Sequence, residues 1–136
     1  MNIPLIYFSL FFALVFSSCQ NKAEEMSGQA NAPEFKLKQN IEVIQFHSEH
    51  RCQTCLDIEA MTKEAIIPYG GIPFRLINVD DNNNKSIANE FKTAGTSLFI
   101  YDPVQGKKLE LTDFAFMNAS DKEKFIKGLQ KEIDNF

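Results

Sequence analysis

The chain lacks any apolar stretch long enough to cross a membrane as a helix: the longest, Ile3 to Phe16, is shorter than the roughly 18 to 20 residues required. Lys and Arg are scattered, with no cluster or basic helix, and the formal net charge is only -4. That distribution argues against a nucleic-acid partner. Glycine and proline show no collagen-like use, and no heptad pattern suggests a coiled coil. Cysteine is scarce as well, with three in 136 residues. What remains is the composition of an ordinary globular protein with room for one domain.

The apolar run is followed by Ser17, Ser18 and Cys19, the order of an h-region and a small-residue cleavage site in a secretory signal. Phe16-Ser17-Ser18-Cys19 resembles a bacterial lipobox, which implies a lipoprotein signal peptide over residues 1–18 and a lipidated Cys19. Several acyl chains make a stable anchor where one is marginal, each buried methylene contributing about 0.8 kcal/mol. Cysteine parity agrees, because an odd thiol in an exported protein needs a use. With Cys19 acylated, Cys52 and Cys55 remain as a pair, in a compartment where a disulfide can persist. The expected location is therefore the cell envelope, outside the cytoplasm. Residues 19–40 are polar, without periodicity and broken by Pro33, and read as a flexible tether.

From Ile41 the elements alternate. Ile41 to Phe46 reads as a largely buried strand. A helix is expected from about Cys52, with Leu56, Ile58, Ala60, Met61, Ala65 and Ile66 as its apolar stripe and Pro68, Gly70 and Gly71 as its end. Phe74 to Val79 is a second strand. Asn84 is placed to cap a short helix from Lys85 to about Lys92 that presents Ile87, Ala88 and Phe91. Ser97 to Tyr101 is a third strand, Asp102 to Gly106 a turn, and Lys107 to Leu111 its antiparallel partner. Ser120-Asp121-Lys122-Glu123 fits a capping box that opens a last helix, with Phe125, Ile126, Leu129 and Ile133 in one stripe.

The order β-α-β-α-β-β-α over residues 41–136 predicts an α/β domain whose mixed four-stranded sheet carries helices on both faces. This is the thioredoxin order. Cys52-Gln53-Thr54-Cys55 falls where the first strand hands over to the first helix, the position of a thioredoxin-like redox site, because the first sulfur then meets the free amides of a helix N-terminus.

The segments Phe46-His47 and Arg51-Cys52-Gln53-Thr54-Cys55, then Asp57-Ile58-Glu59-Ala60, Thr62-Lys63-Glu64-Ala65 and Asn78-Val79-Asp80, resemble the thioredoxin-like family called nitrophenyl compound nitroreductase subunit ArsF. The resemblance covers nearly all of residues 41–136 and implies the thioredoxin-like fold and the paired cysteines. Reductases of the wider thioredoxin family carry a buried acid on the first strand, a Trp beside the first cysteine and a cis-proline opening the third strand. Here those places hold Gln45, His50 or Arg51, and Thr96.

For the pair itself, Cys52 is the expected attacking thiol, favoured as thiolate by the helix N-terminus and by His50 and Arg51 nearby. Cys55, one turn on, is the expected resolving thiol. The main reading is thiol-disulfide exchange with a redox partner protein of the envelope. Two alternatives stay open: capture of a thiophilic metal or metalloid (copper, zinc, arsenite), in the fullest form by His47, His50, Cys52 and Cys55 together, and a non-catalytic accessory subunit. Glu59, one turn beyond Cys55, could carry a proton but is more commonly a solvated helix carboxylate. No cofactor is called for, since the phenylalanines read as packing residues.

Overall fold

A computed structural model describes Lys38 and residues 40–136. The expected signal peptide, Cys19 and all but Lys38 and Asn40 of the tether lie outside the described residues. Within them four strands form one sheet: β1 (Glu42–His47), β2 (Phe74–Asn78), β3 (Ser97–Asp102) and β4 (Lys107–Glu110). Their spatial order is β2-β1-β3-β4. β1 runs parallel to β2, with Phe46 opposite Ile77, and antiparallel to β3, with Phe46 opposite Ser97. β4 completes the sheet as the antiparallel partner of β3.

β1 is central and buried on both faces, which is why it reads as a near-continuous apolar run. Alternation sends Val43 into one core and Ile44 and Phe46 into the other. A parallel β1–β2 pair needs a long crossover, and α1 (Gln53–Ala65) supplies it. α1 packs with α3 (Thr112–Asn118) and α4 (Lys122–Asn135) over the larger core, where Ile58, Met61, Ala65, Leu98, Ile100, Phe125, Leu129 and Ile133 meet. The side chains of Phe125, Leu129 and Ile133 are wholly buried, each contributing about 1.5–3 kcal/mol by leaving water. The opposite face carries α2 (Lys85–Glu90), held through a smaller aromatic cluster of Phe46, Phe91 and Phe99.

The element order matches the sequence expectation with one addition, α3. Several details differ. The buried face of α1 is Cys55, Ile58, Met61, Thr62 and Ala65, while Leu56 is 41% exposed. The helix ends at the Ile66 cap and passes through a short 3-10 turn, Ile67–Tyr69, before Gly70 adopts positive φ. Buried Tyr69 donates its hydroxyl toward Gln130 O and Asp134 Oδ1, each at 2.9 Å, tying this turn to α4. Asn84 precedes α2 without making a side-chain cap; its Nδ2 donates to Asn78 O instead. The start of α4 is displaced by one residue from the expected box, because Asp121 and not Ser120 accepts from the Lys124 amide. At the hairpin, Asp102 Oδ1 accepts from the amides of Val104 and Gln105, and Gly106 supplies positive φ.

α3 packs closely on α4. A Cβ at Gly128 would stand 2.5 Å from Cε2 of Phe114, so the missing side chain is what lets the Phe114 ring lie there. Among the described residues, no helix is long and apolar enough to cross a membrane.

Candidate functional site

The turn between β1 and α1 is fixed from both sides before it delivers the cysteines. His47 O accepts from the Val79 amide at 2.8 Å, and the Glu49 amide donates to Asp80 Oδ2 at 2.7 Å. Asn78 Nδ2 donates to the Glu49 carboxylate. The strand end and the β2–α2 connection therefore hold the loop in place.

Cys52 is the N-cap of α1, with extended backbone. Its carbonyl accepts from the amides of Cys55 and Leu56 at 3.1 and 3.2 Å, and its thiol stands where a capping oxygen usually sits. No side-chain hydrogen bond of ordinary geometry closes the cap. The Cys55 thiol, and after it the amides of Cys55 and Thr54, nevertheless hold the Cys52 thiol below its ordinary pKa of 9.0. Depression of this kind is characteristic of a reactive thiol at a helix start. Both thiols are free, Cys52 exposed and Cys55 buried, and their sulfurs lie 3.0 Å apart.

Cys55 is held from below and from the side. Gln45, wholly buried on β1, donates from Nε2 to the Cys55 carbonyl at 3.0 Å. Its own Oε1 is buried without a hydrogen-bond partner. Thr96, in the loop leading into β3, places Oγ1 3.3 Å from the Cys55 sulfur. Thr96 thus touches the site at the place where the wider family carries its cis-proline.

The charged neighbours behave differently from the expectation. Arg51 directs Nη2 to Glu59, which also receives Lys63, and its Nε is buried without a hydrogen-bond partner, so it makes no hydrogen bond to the thiol. Burial raises the Glu59 pKa, but the hydrogen bonds from Lys63 and Arg51 outweigh it and the carboxyl lies below its ordinary value. A carboxylate held ionised by two cations is poorly suited to carrying protons. His47 turns Nδ1 to the Ser48 carbonyl at 2.8 Å, and His50 is exposed. Among the described residues, no group of three or more His, Cys, Asp and Glu side chains is arranged to hold a metal ion, so His47, His50, Cys52 and Cys55 do not form the four-ligand set considered from sequence.

Strand order β2-β1-β3-β4, the parallel β1–β2 pair joined through α1, and the paired cysteines at the start of that helix agree on one architecture. The fold is thioredoxin-like. No family model matches the chain, and no curated protein matches it. Among solved structures it is similar to the solution structure of a thioredoxin from Thermus thermophilus, at 18% identity and a TM-score of 0.39, over 53% of this chain. The chain spans 58% of the length of that thioredoxin.

Of the expected site residues, the fold brings Cys52 and Cys55 together, adds Thr96 beside them, and among the described residues does not gather the two histidines with them. The role of Gln45 as a brace on the Cys55 carbonyl was not anticipated. Its signal was a polar residue inside an otherwise apolar strand, where burial demands a hydrogen-bond partner.

Proposed function

We propose that the domain carries out thiol-disulfide exchange through Cys52 and Cys55. The observation that carries this reading is an exposed N-cap thiol, held below its ordinary pKa, whose sulfur lies 3.0 Å from that of a buried second cysteine. In the reducing direction the Cys52 thiolate attacks one sulfur of a partner disulfide, and the other partner sulfur leaves as thiolate and takes up a proton. Cys55 then releases its proton to water and attacks Cys52. A Cys52–Cys55 disulfide forms, the second partner thiolate leaves, and two electrons have passed to the partner. The reverse sequence oxidises a partner dithiol.

Residues 1–18 are a lipoprotein signal, Cys19 carries the lipid, residues 19–40 are the tether, and the partner is an envelope protein. The lipobox-like Phe16-Ser17-Ser18-Cys19 and cysteine parity support this reading. The resemblance to the ArsF subunit family fits the exchange reading, through the fold and the paired cysteines alone.

A trapping experiment tests the exchange. In cells, a Cys55→Ser variant is expected to accumulate a mixed disulfide through Cys52 that disappears on reduction, while Cys52→Ser accumulates none. Absence of any adduct in the Cys55→Ser strain, with the protein folded and present, refutes exchange and favours an accessory role.

A further inference from the structure

The exchange reading requires Cys55 to act as a nucleophile in the second step, and the surroundings of its sulfur restrict what can assist it. Gln45 is already committed to the Cys55 carbonyl through Nε2, and an amide takes up no proton at neutral pH. Arg51 pairs with Glu59 through Nη2, and Glu59 is shared with Lys63; Arg51 Nε is buried without a hydrogen-bond partner and makes no hydrogen bond to either sulfur. Asp57, on the same helix, accepts from Gln53 Nε2. The other group in contact with the Cys55 sulfur is Cys52. Once Cys52 is bound to the partner in a mixed disulfide, its sulfur has no hydrogen to give.

Among the described residues, that leaves one side-chain donor in hydrogen-bond contact with the sulfur. Thr96 Oγ1 lies 3.3 Å from the Cys55 sulfur in a loop that is itself fixed. Thr93 Oγ1 donates to the Gly95 carbonyl at 3.2 Å and lies 2.6 Å from the buried Ser97 hydroxyl. Ser97 in turn pairs with Phe46 in the central ladder. The hydroxyl is thereby presented from the sheet to the sulfur and does not have to find it.

We propose that Thr96 is a positioning residue for the resolving step, its hydroxyl donating a hydrogen bond to the Cys55 sulfur as that sulfur loses its proton and attacks Cys52. This inference rests on the exchange reading. Thr96 itself neither gains nor loses a proton in the step; the Cys55 proton passes to water, and the bond changes are those already written. The sulfur can be donor or acceptor while protonated, but as thiolate it can only accept, so the contact strengthens as charge develops. Hydrogen bonds to charged groups typically alter an equilibrium by about ten- to a hundredfold. Part of this is offset because a better-stabilised thiolate is a weaker nucleophile, with a Brønsted slope of about 0.4–0.5. The net effect expected on the rate is roughly three- to tenfold.

The test uses the reduced protein and the aromatic disulfide dithiobis-nitrobenzoate, followed by stopped-flow absorbance. The first nitrothiobenzoate released reports attack by Cys52, and the second reports attack by Cys55 on the mixed disulfide. A Cys55→Ser variant, which loses the second release, assigns the two phases. Thr96→Val is expected to leave the first release unchanged and to slow the second about three- to tenfold. Thr96→Ser, which keeps the hydroxyl, is expected to restore it. If Thr96→Val does not fold, Thr96→Ala removes the same hydroxyl and is expected to show the same slowing.

A second release as fast as in the parent protein without the hydroxyl overturns the assignment, as does a Thr96→Ser rate no better than that of Thr96→Val. A parent protein that gives no second release overturns both the assignment and the exchange reading. Normal release in the parent with no effect at Thr96 overturns the assignment alone.

Discussion

Gln45 is a wholly buried amide with one half satisfied and the other not, and this makes the effect of replacing it calculable. Its Nε2 donates to the Cys55 carbonyl at 3.0 Å, while Oε1 has no partner. Gln45→Met keeps nearly the same volume and unbranched shape, so little cavity or overpacking is expected. The change removes one intramolecular hydrogen bond, a loss of about 0.5–1.5 kcal/mol, and relieves a desolvated carbonyl oxygen whose burial costs about 1–3 kcal/mol. At the midpoints of these ranges the relief exceeds the loss by about 1 kcal/mol, the Cys55 carbonyl keeping its place as a backbone acceptor within α1. For a domain of this size that corresponds to a rise in Tm of roughly 4–8 °C. Urea unfolding of the reduced protein, read by far-ultraviolet circular dichroism, measures the free-energy change directly. The bond goes to the Cys55 carbonyl and to neither sulfur, so alkylation of Cys52 should proceed at the parental rate. A loss of 1 kcal/mol or more would refute the reasoning, because it would mean that the amide oxygen is not a liability in the folded protein.

Two further outcomes follow from the same physics. Glu59→Gln removes a carboxylate that pairs with Arg51 and Lys63. Because the folded Glu59 pKa lies below its ordinary value of 4.5, its stabilisation is present above that value and is lost as pH falls through the folded one; with Lys63 half exposed, the variant should be weaker by at most about 1 kcal/mol at pH 7 and equal to the parent in acid, which paired urea titrations would reveal. Gly128→Ala sets a methyl group against the Phe114 ring, which is also packed on Phe125. Displacing that ring costs about 1–3 kcal/mol against a helix-propensity gain of about 1, and thermal melts are expected to show net destabilisation; a more stable variant would mean that the ring swings aside freely.

The strands and their succession along the chain were legible because each carries a local signal that tertiary packing reinforces, whereas the spatial order β2-β1-β3-β4 and the antiparallel β1–β3 pair were not. β1 needed an apolar run to be buried on both faces, and Pro68, Gly70, Gly71 and Gly106 marked where the chain turns. α3 was not legible. It spans only seven residues, Thr112–Asn118, too few for periodicity to separate helix from loop, and two of its large apolar residues, Phe116 and Met117, face outward. Such a short helix owes its existence to neighbours rather than to propensity, here to Phe114 lying over Gly128. The Leu56 and Thr62 exchange has a similar cause: hydrophobicity alone favoured Leu56 for the core, but the face of α1 that meets the core carries Thr62 and not Leu56.

Within the site, the cysteines were legible from spacing, and the charges around them were not. Arg51 adjoins Cys52 in sequence, yet its partner is eight residues on, at Glu59, a pairing that only the completed first turns of α1 create. Thr96 was visible as a departure from proline in the place facing the cysteines, but the contact of its hydroxyl with the Cys55 sulfur, across 41 residues of chain, was not.

A helix that begins on a thiol has a consequence for observation. Most helices begin on an oxygen whose charge does not change during the work of the protein. Here the group at the start of α1 is one whose charge and covalent partner would change with each turn of exchange, and the amides of Gln53, Thr54 and Cys55 are the ones that sense it. The first turn of α1 is accordingly a native spectroscopic reporter: the resonances of those amides track the state of Cys52 without a label, while those of Phe125, Leu129 and Ile133 in the distant core supply an internal reference.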